Sequence, residues 1–439
     1  MIPLLLIFLT ASPAHAETLT RDGAVREALG QSPAYAKSQA AAEEQDWKRA
    51  ETFSYFLPTL QVTASRYFVK QLEYNDLDFG GSPAHIPLIY PATRASLNFN
   101  WNLFDGFGNF YRYSGARRLS DAARDEADWA RFQTEEDTLL HFNEAVAARE
   151  LQSVAEQNVA TLKDHLDQVT RTRKGGLATQ YDVLRVEVQL NEANSELLRA
   201  KDDVVLARQK LSQALGVDPT TDTRELSGEL EIPLTTGVDQ LKLGDGQDRK
   251  DLQAAGLRAE AADRQSAAAS TYWIPRIGLG AQYTLYNNLT DGMTDWDQYR
   301  AAWNAGIFLT WNIFDLGLVA KSKAAGYQSV EAQKSYQAAR LAMPTDFEFW
   351  KRRYLYSAAL YEAKLSDVKK GEESVRLAKA AMKAGVRTNS EVLDAELDLF
   401  RARAGLVNAL KGSTEARIKL ELALGRKLPN LSKPAKNPS

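Results

Sequence analysis

Residue types that make and break covalent bonds are scarce in this chain. Cysteine is absent, and the four histidines, at 15, 85, 141 and 165, stand at no ligand-like spacing. That excludes disulfides, cysteine-type zinc sites and thiol nucleophiles. There is no Gly-x-Ser-x-Gly, phosphate-binding loop or His-Glu-x-x-His, and Gly244-Asp245-Gly246 lies in a linker where it reads as a turn. Neither an enzyme nor a cofactor or metal is expected. What the sequence offers instead is charge beside a turn. Glu391 and Asp394 stand three apart, near one helix face, just after Arg387 and Thr388. Thr388-x-x-Glu391 is a capping box and Thr179-x-x-Asp182 is similar, so Glu391 has a plain use at a helix start. Asp394 is not explained that way.

These turns belong to a unit that occurs twice. Phe56-Leu57-Pro58 returns as Trp273-Ile274-Pro275, and Trp101-Asn102-Leu103-Phe104-Asp105 returns as Trp311-Asn312-Ile313-Phe314-Asp315. Gly176-Leu177-Ala178-Thr179 returns as Gly385-Val386-Arg387-Thr388, and Leu215-Gly216 as Leu424-Gly425. Four landmarks in one order, at a nearly constant offset, define an internal duplication. It divides the chain into a first repeat at 17–216, a linker at 217–248, a second repeat at 249–425 and a tail at 426–439. The repeat partner of Asp394 is Arg185, so that acid belongs to one copy only.

Within each repeat two periods alternate. Leu97, Phe99, Trp101 and Leu103 alternate with asparagines, and Ile307, Leu309, Trp311 and Ile313 keep the same phase. A period of two predicts strands with one apolar face, at about 59–71, 93–104, 276–287 and 299–314. They pair as two hairpins with solvent-facing loops near 72–92 and 288–298. The rest reads as helix, at 108–173, 177–215, 318–384 and 387–424, with shorter pieces at 33–55 and 251–272. Val183, Leu190, Leu197, Val204 and Leu211 recur every seventh residue beside Val186, Ala193, Ala200, Ala207 and Ala214, and the second repeat does the same from Val392 and Ala395. A strict seven-residue period predicts a left-handed coiled coil, and alanine on alternate seam positions lets helices approach closely. In each repeat the two shorter helical stretches together match the long one, as a wall of uniform height requires. Pro344 falls inside the second long helix, where a kink or bulge is expected.

The compartment is legible at the N-terminus. The apolar run Ile2 to Leu9, followed by Ala14-His15-Ala16, reads as a signal peptide over 1–16. Glu17 rather than cysteine follows, so no lipid attachment is expected. No apolar run approaches the ~20 residues of a membrane helix. Lys+Arg total 54 against 57 Asp+Glu, a formal charge of −3 that gives no basic face for nucleic acid. Isolated hairpins are marginal in water, and four strands cannot close a barrel. Several chains must therefore pool their strands.

The paired Phe/Trp-hydrophobic-Pro strand starts, the Trp-Asn-hydrophobic-Phe-Asp strand ends and the two Gly-hydrophobic-x-Thr turns resemble those of the TolC family of outer-membrane efflux ducts, over roughly 17–425. The resemblance implies a mixed fold, a membrane β-barrel continued by a long α-helical coiled-coil barrel. Each chain of a homotrimer would give four strands and two long helical pairs to a duct of twelve strands and twelve helices. The location implied is the outer membrane of a Gram-negative bacterium, extending into the periplasm. The function implied is a passive exit duct for small toxic molecules or secreted polypeptides, in a tripartite efflux or type I secretion system. Its partners would be a periplasmic adaptor, an inner-membrane pump or ABC exporter, and outer-membrane lipid. Trp101, Phe104, Trp311 and Phe314 would form an aromatic girdle at the membrane interface. Gly176, Leu177, Thr179, Gly385, Val386 and Thr388 would be adaptor-docking tips, although glycine and threonine there also serve as helix caps. Arg387, Glu391 and Asp394 would constrict the periplasmic aperture, with a ring of six carboxylates in the trimer. The alternative is a periplasmic coiled-coil structural protein without a pore. Nothing in the sequence selects the cargo.

Overall fold

The computed structural model describes residues 18–68, 74–87, 92–222, 224–244, 249–287, 296–428 and 432–434. The expected signal peptide lies outside the described residues, as do Asp245-Gly246 and parts of the loops near 72–92 and 288–298 and of the tail. In chain order the elements are β1 (Leu19–Thr20), α1 (Arg21–Gln31), α2 (Pro33–Ser54), β2 (Thr59–Arg66), β3 (Tyr74–Asp78), β4 (Pro83–Pro87), β5 (Thr93–Phe104) and α3 (Gly108–Lys174). There follow α4 (Gln180–Leu215), β6 (Leu226–Ser227), β7 (Glu231–Pro233), α5 (Lys250–Ser270), β8 (Arg276–Asn287), β9 (Arg300–Thr310), α6 (Leu316–Lys383), α7 (Asn389–Leu424) and β10 (Ser432–Pro434). They fall into two compact units, one of residues up to 40, 125–253 and 338–439, the other of 41–124 and 254–337.

The second of these units is built on one antiparallel sheet in the order β2-β5-β8-β9. Its register sets Val62 beside Leu97, Leu97 beside Tyr283, and Tyr283 beside Trp303. One face therefore collects apolar side chains and the other polar ones. On the polar face Gln282 Nε2 donates to Asn98 Oδ1 at 2.8 Å and Asn98 Nδ2 donates to Thr63 Oγ1 at 3.3 Å. The apolar face is open: Val62 is 72% exposed and Ile307 71%. A contiguous apolar surface of this kind marks an environment other than water. β2 and β9 are the edges, and no strand among the described residues pairs with their outer sides.

The repeated Trp-Asn-hydrophobic-Phe-Asp motif acquires a physical meaning here. Trp101 Nε1 donates to Phe56 O at 2.9 Å, and Trp311 Nε1 to Trp273 O at the same 2.9 Å. Asp105 Oδ2 accepts from Asn109 N–H at 2.7 Å, and Asp315 Oδ1 from Leu318 N–H at 3.2 Å. Each tryptophan pins a strand end to the chain before the neighbouring strand, and each aspartate caps the long helix that follows. That is why β9 stops at Thr310, short of the expected 314: Trp311 to Asp315 already turn the chain into α6. Similarly β2 stops at Arg66, which pairs with Thr93, the first residue of β5. The loop expected near 72–92 contains a hairpin of its own, β3 with β4.

The first unit is helical. Seam residues Val183, Val186, Ala193, Ala200 and Leu211 of α4 are buried, as are Val392, Ala395, Ala409, Ser413, Ala416, Leu420 and Ala423 of α7. Phe142, Ala145 and Val146 of α3 pack with Leu211 and Leu215 of α4, Tyr361 of α6, Ala409 and Leu410 of α7, and Ala24 and Ala28 of α1. α6 continues as one helix through Pro344, with Met343 and Phe347 buried on either side. The stretch between the repeats is more than a connector. β6 pairs parallel with β1, and β7 pairs antiparallel with β10, so it gathers segments from both ends of the chain. Buried Arg417 of α7 ties it in, reaching Glu231 of β7 at 3.0 Å.

Gly216, which ends α4 at φ 79, has no room for a side chain: a Cβ there would lie 2.4 Å from Gln31 O. Gly176 has a similar φ of 78 but open space around it. Gly176→Ala is expected to carry only the strain of a left-handed L-residue, about 1–2 kcal/mol. Gly216→Ala should lower the unfolding midpoint further, as read by helical circular dichroism against temperature. Equal shifts in the two variants would discard the close approach as a cause.

Candidate functional site

The α3–α4 and α6–α7 turns both lie in the helical unit and are built alike. Gly176 takes φ 78 while Leu177 N–H donates to Thr172 O at 3.1 Å; Gly385 takes φ 71 while Val386 N–H donates to Ala381 O at 3.0 Å. A residue without Cβ enters this left-handed region freely, so glycine ends each long helix. Thr179 then caps α4: its hydroxyl accepts from Asp182 N–H at 3.2 Å and its N–H donates to Asp182 Oδ2 at 2.9 Å. The Thr179 hydroxyl, and then its N–H, hold the Asp182 carboxyl below the usual range. Before α7 the N–H of Thr388 donates to Glu391 Oε2 at 3.0 Å. Backbone needs thus account for glycine and threonine in both turns. They leave Leu177, 85% exposed, and Val386, 79% exposed, as apolar side chains open to solvent at matching places.

The charged residues divide between the helices in a way the sequence does not announce. Glu391 serves the Thr388 cap, and Arg387 Nη1, from the turn just before that helix, lies 3.8 Å from Glu391 Oε1. Asp394 is tied across helices. Arg185 of α4 donates from Nη2 to Asp394 Oδ1 at 3.1 Å and from Nη1 to the Ser390 hydroxyl. Arg185, rather than Arg387, is the arginine that joins the two turns. One signal for it existed: 185 and 394 are equivalent positions of the duplication, with opposite charge.

A buried cluster on the same helices escaped sequence reasoning. His165 of α3 places Nδ1 2.6 Å from Glu396 Oε2 and Nε2 2.5 Å from Asn389 Oδ1, both on α7. Lys379 Nζ of α6 lies 2.8 Å from Glu396 Oε1. Burial opposes charge on His165, but the bonds to Glu396 and Asn389 outweigh it and raise its pKa. Burial also opposes charge on Glu396, and there the bonds to His165 and Lys379 prevail and lower it. The faint sequence signal was spacing: His165 falls between Leu162 and Val169, two core residues of α3.

The aromatics expected at a membrane interface lie in the sheet-bearing unit. Trp101 and Trp311 are partly exposed beyond their anchoring bonds, and Phe314 is 85% exposed. Phe104 instead packs edge-on against Phe107, ring centroids 5.4 Å apart. Among the described residues no group of His, Asp or Glu is arranged to hold a metal, and no helix is long and apolar enough to cross a membrane.

A sequence profile described as outer membrane efflux protein matches residues 24–217 and 246–426. The chain belongs to the outer membrane efflux protein family. The resemblance to the TolC family read from the sequence is thereby established, and with it an outer-membrane location and an efflux function. The outer membrane protein VceC of Vibrio cholerae has a TM-score of 0.76 at 19% identity, covering 93% of this chain and 96% of that one. A membrane protein from Pseudomonas aeruginosa has a TM-score of 0.78 at 18% identity, covering 97% and 99%. The open state of the MtrE outer membrane channel of Neisseria gonorrhoeae has a TM-score of 0.72 at 17% identity, covering 95% and 93%. At such identities the likeness shows the fold. No curated protein matches the chain.

Arg185 and Asp394 are partly exposed, so their pairing should couple by about 0.2–1 kcal/mol. A double-mutant cycle of Arg185→Ala and Asp394→Ala in urea is expected to show that coupling. The same cycle on Arg387 and Glu391 is expected to give less, because their charged atoms stand farther apart. A larger coupling in the second pair would overturn the assignment of Arg185 as the joining residue.

Proposed function

We propose that the chain forms a homotrimeric exit duct, a twelve-stranded barrel in the outer membrane continued by a twelve-helix tunnel in the periplasm. The observation that carries this reading is the β2-β5-β8-β9 sheet, with its open apolar face and two unpaired edges. Hydrocarbon offers no partner to a backbone N–H or C=O, so a sheet placed there must close on itself. Four strands are too few, and three copies supply the twelve that the TolC resemblance implies. β9 of one chain would pair with β2 of the next, apolar faces would meet lipid, and the Asn98, Gln282 and Thr63 face would line a wet lumen. Trp101, Trp311 and Phe314 would stand at the interface, with Phe104 packed inside it. A coiled-coil structural protein without a pore has no use for the apolar sheet face.

The duct performs no bond chemistry; an inner-membrane pump or ABC exporter would drive export through a periplasmic adaptor. Leu177 and Val386, freed from capping duties, are the surface on which the adaptor would dock. Arg387, Glu391 and Asp394, joined by Arg185, would form the periplasmic gate. Each acid there has an arginine beside it, Arg387 for Glu391 and Arg185 for Asp394. Small toxic molecules and secreted polypeptides are both candidate cargo.

Val62→Arg places charge on the lipid face and is expected to cost about 2–4 kcal/mol near the membrane midplane, whereas Thr63→Arg, on the lumen face, is tolerated. The yield of heat-modifiable trimer in outer-membrane fractions reads the difference. Equal yields would remove the lipid-facing assignment. For the tips, Leu177→Glu combined with Val386→Glu should abolish export while trimers remain in the membrane, and normal export would rule out docking there.

A further inference from the structure

The His165 cluster links three of the four helices that converge on the two turns. Glu396 and Asn389 hold α7 to α3 through His165, and Lys379 adds α6 through Glu396. Asn389 is the first residue of α7, and its neighbour Ser390 receives the Arg185 hydrogen bond. The cluster therefore fixes the start of the helix that carries Asp394, the partner of Arg185. The side chains of His165 and Glu396 are only 3% and 2% exposed, so water cannot replace a lost partner.

Both ring nitrogens of His165 face acceptor oxygens. An imidazolium satisfies both, while a neutral ring has one N–H for two acceptors. Asn389 Nδ2 is itself buried without a partner among the described residues. The charged groups around the ring are few. From α7 it meets Glu396, and from α6 Lys379. α4 contributes Val183 and Val186 to the core beside it, and its Arg185 is engaged by Ser390 and Asp394. On α3 itself Lys163, Asp164 and Asp167 are exposed. We propose that His165 is a positioning residue for the gate, a proton-dependent clasp that holds α7 in the closed arrangement and releases it when the proton leaves. This rests on the reading of the two turns as the periplasmic gate.

The sign follows from linkage. A histidine whose pKa is raised in the closed form stabilises that form fully below its ordinary value of 6.5, and the effect is lost as pH rises through the raised value. Glu396, lowered in the closed form, contributes above its ordinary 4.5 and is lost only in stronger acid. Closure is therefore strongest between those two values and weakens on the alkaline side.

The test is conductance of the purified trimer in planar bilayers between about pH 6 and about pH 9. One proton changes the open-to-closed ratio by at most about tenfold per pH unit. Wild type is expected to open along such a slope, and His165→Gln to lose it. Lys379→Gln, on a half-exposed side chain, removes a cation that disfavours the imidazolium and should move the midpoint up by roughly half a unit. This second variant decides the matter if His165→Gln fails to yield trimers. A flat wild-type profile, an unchanged slope in His165→Gln or an unmoved midpoint in Lys379→Gln overturns the clasp. Arg185→Ala separates the two readings. If it raises conductance at every pH, the gate stands whatever happens to the slope; if it changes nothing, the gate fails and the clasp with it.

Discussion

A sheet with one apolar face and two bare edges cannot be completed within this chain, and the remaining features serve that incompleteness. The strands β2, β5, β8 and β9 satisfy one another internally, but no strand among the described residues pairs with the outer edges of β2 and β9. Backbone groups left unpaired in hydrocarbon cost several kcal/mol each. In such a setting the two edges call for further strands to pair with. The duplicated Trp101 and Trp311 anchors fix where each strand ends, and the Asp105 and Asp315 caps fix where each long helix begins. A one-residue slip at either place would turn the apolar face inward.

The helical unit holds together by a different economy. Alanine at every second seam position of α7 buries little area per residue, on the order of 0.8 kcal/mol per methyl-sized group. Length compensates: the contribution accumulates over 36 residues in α4 and again in α7. Small side chains also keep neighbouring helices close, so the few polar groups admitted to the interior must be matched. Arg417 meets Glu231 and Glu421, and His165 meets Glu396. Such pairs add little net stability over apolar residues, yet they fix which residue stands opposite which.

What the sequence made legible follows from period. The alternation through Leu97 to Leu103 and the seven-residue series from Val183 and Val392 are long, so the two helix types and the strand faces could be read from them. Short elements carry no period. β1, β6, β7 and β10, of two or three residues each, take their form from pairing partners far along the chain. The caps at Thr179 and Thr388 were legible, although α4 and α7 start at Gln180 and Asn389 rather than at 177 and 387; the end of β9, where Trp311 intervenes, was not. At the proposed gate, Arg387, Glu391 and Asp394 were visible as charges near a turn. The contacts across helices were not: Arg185 with Asp394 and Ser390, and His165 with Glu396 and Asn389, are chosen by packing between helices rather than by spacing along one.

Arg185 and Asp394 occupy the same place in the two halves of one ancestral unit. A unit assembling with identical copies would carry the same residue at this position in every copy. Arginine throughout, or aspartate throughout, would leave the position without its opposite charge. Fusion of two copies into one chain removes that restriction, since each half can drift alone. The seam between α4 and α7 has become polarised, with a donor side and an acceptor side, although the helices keep matching lengths and heptads. A ring of interchangeable subunits does not have that independence.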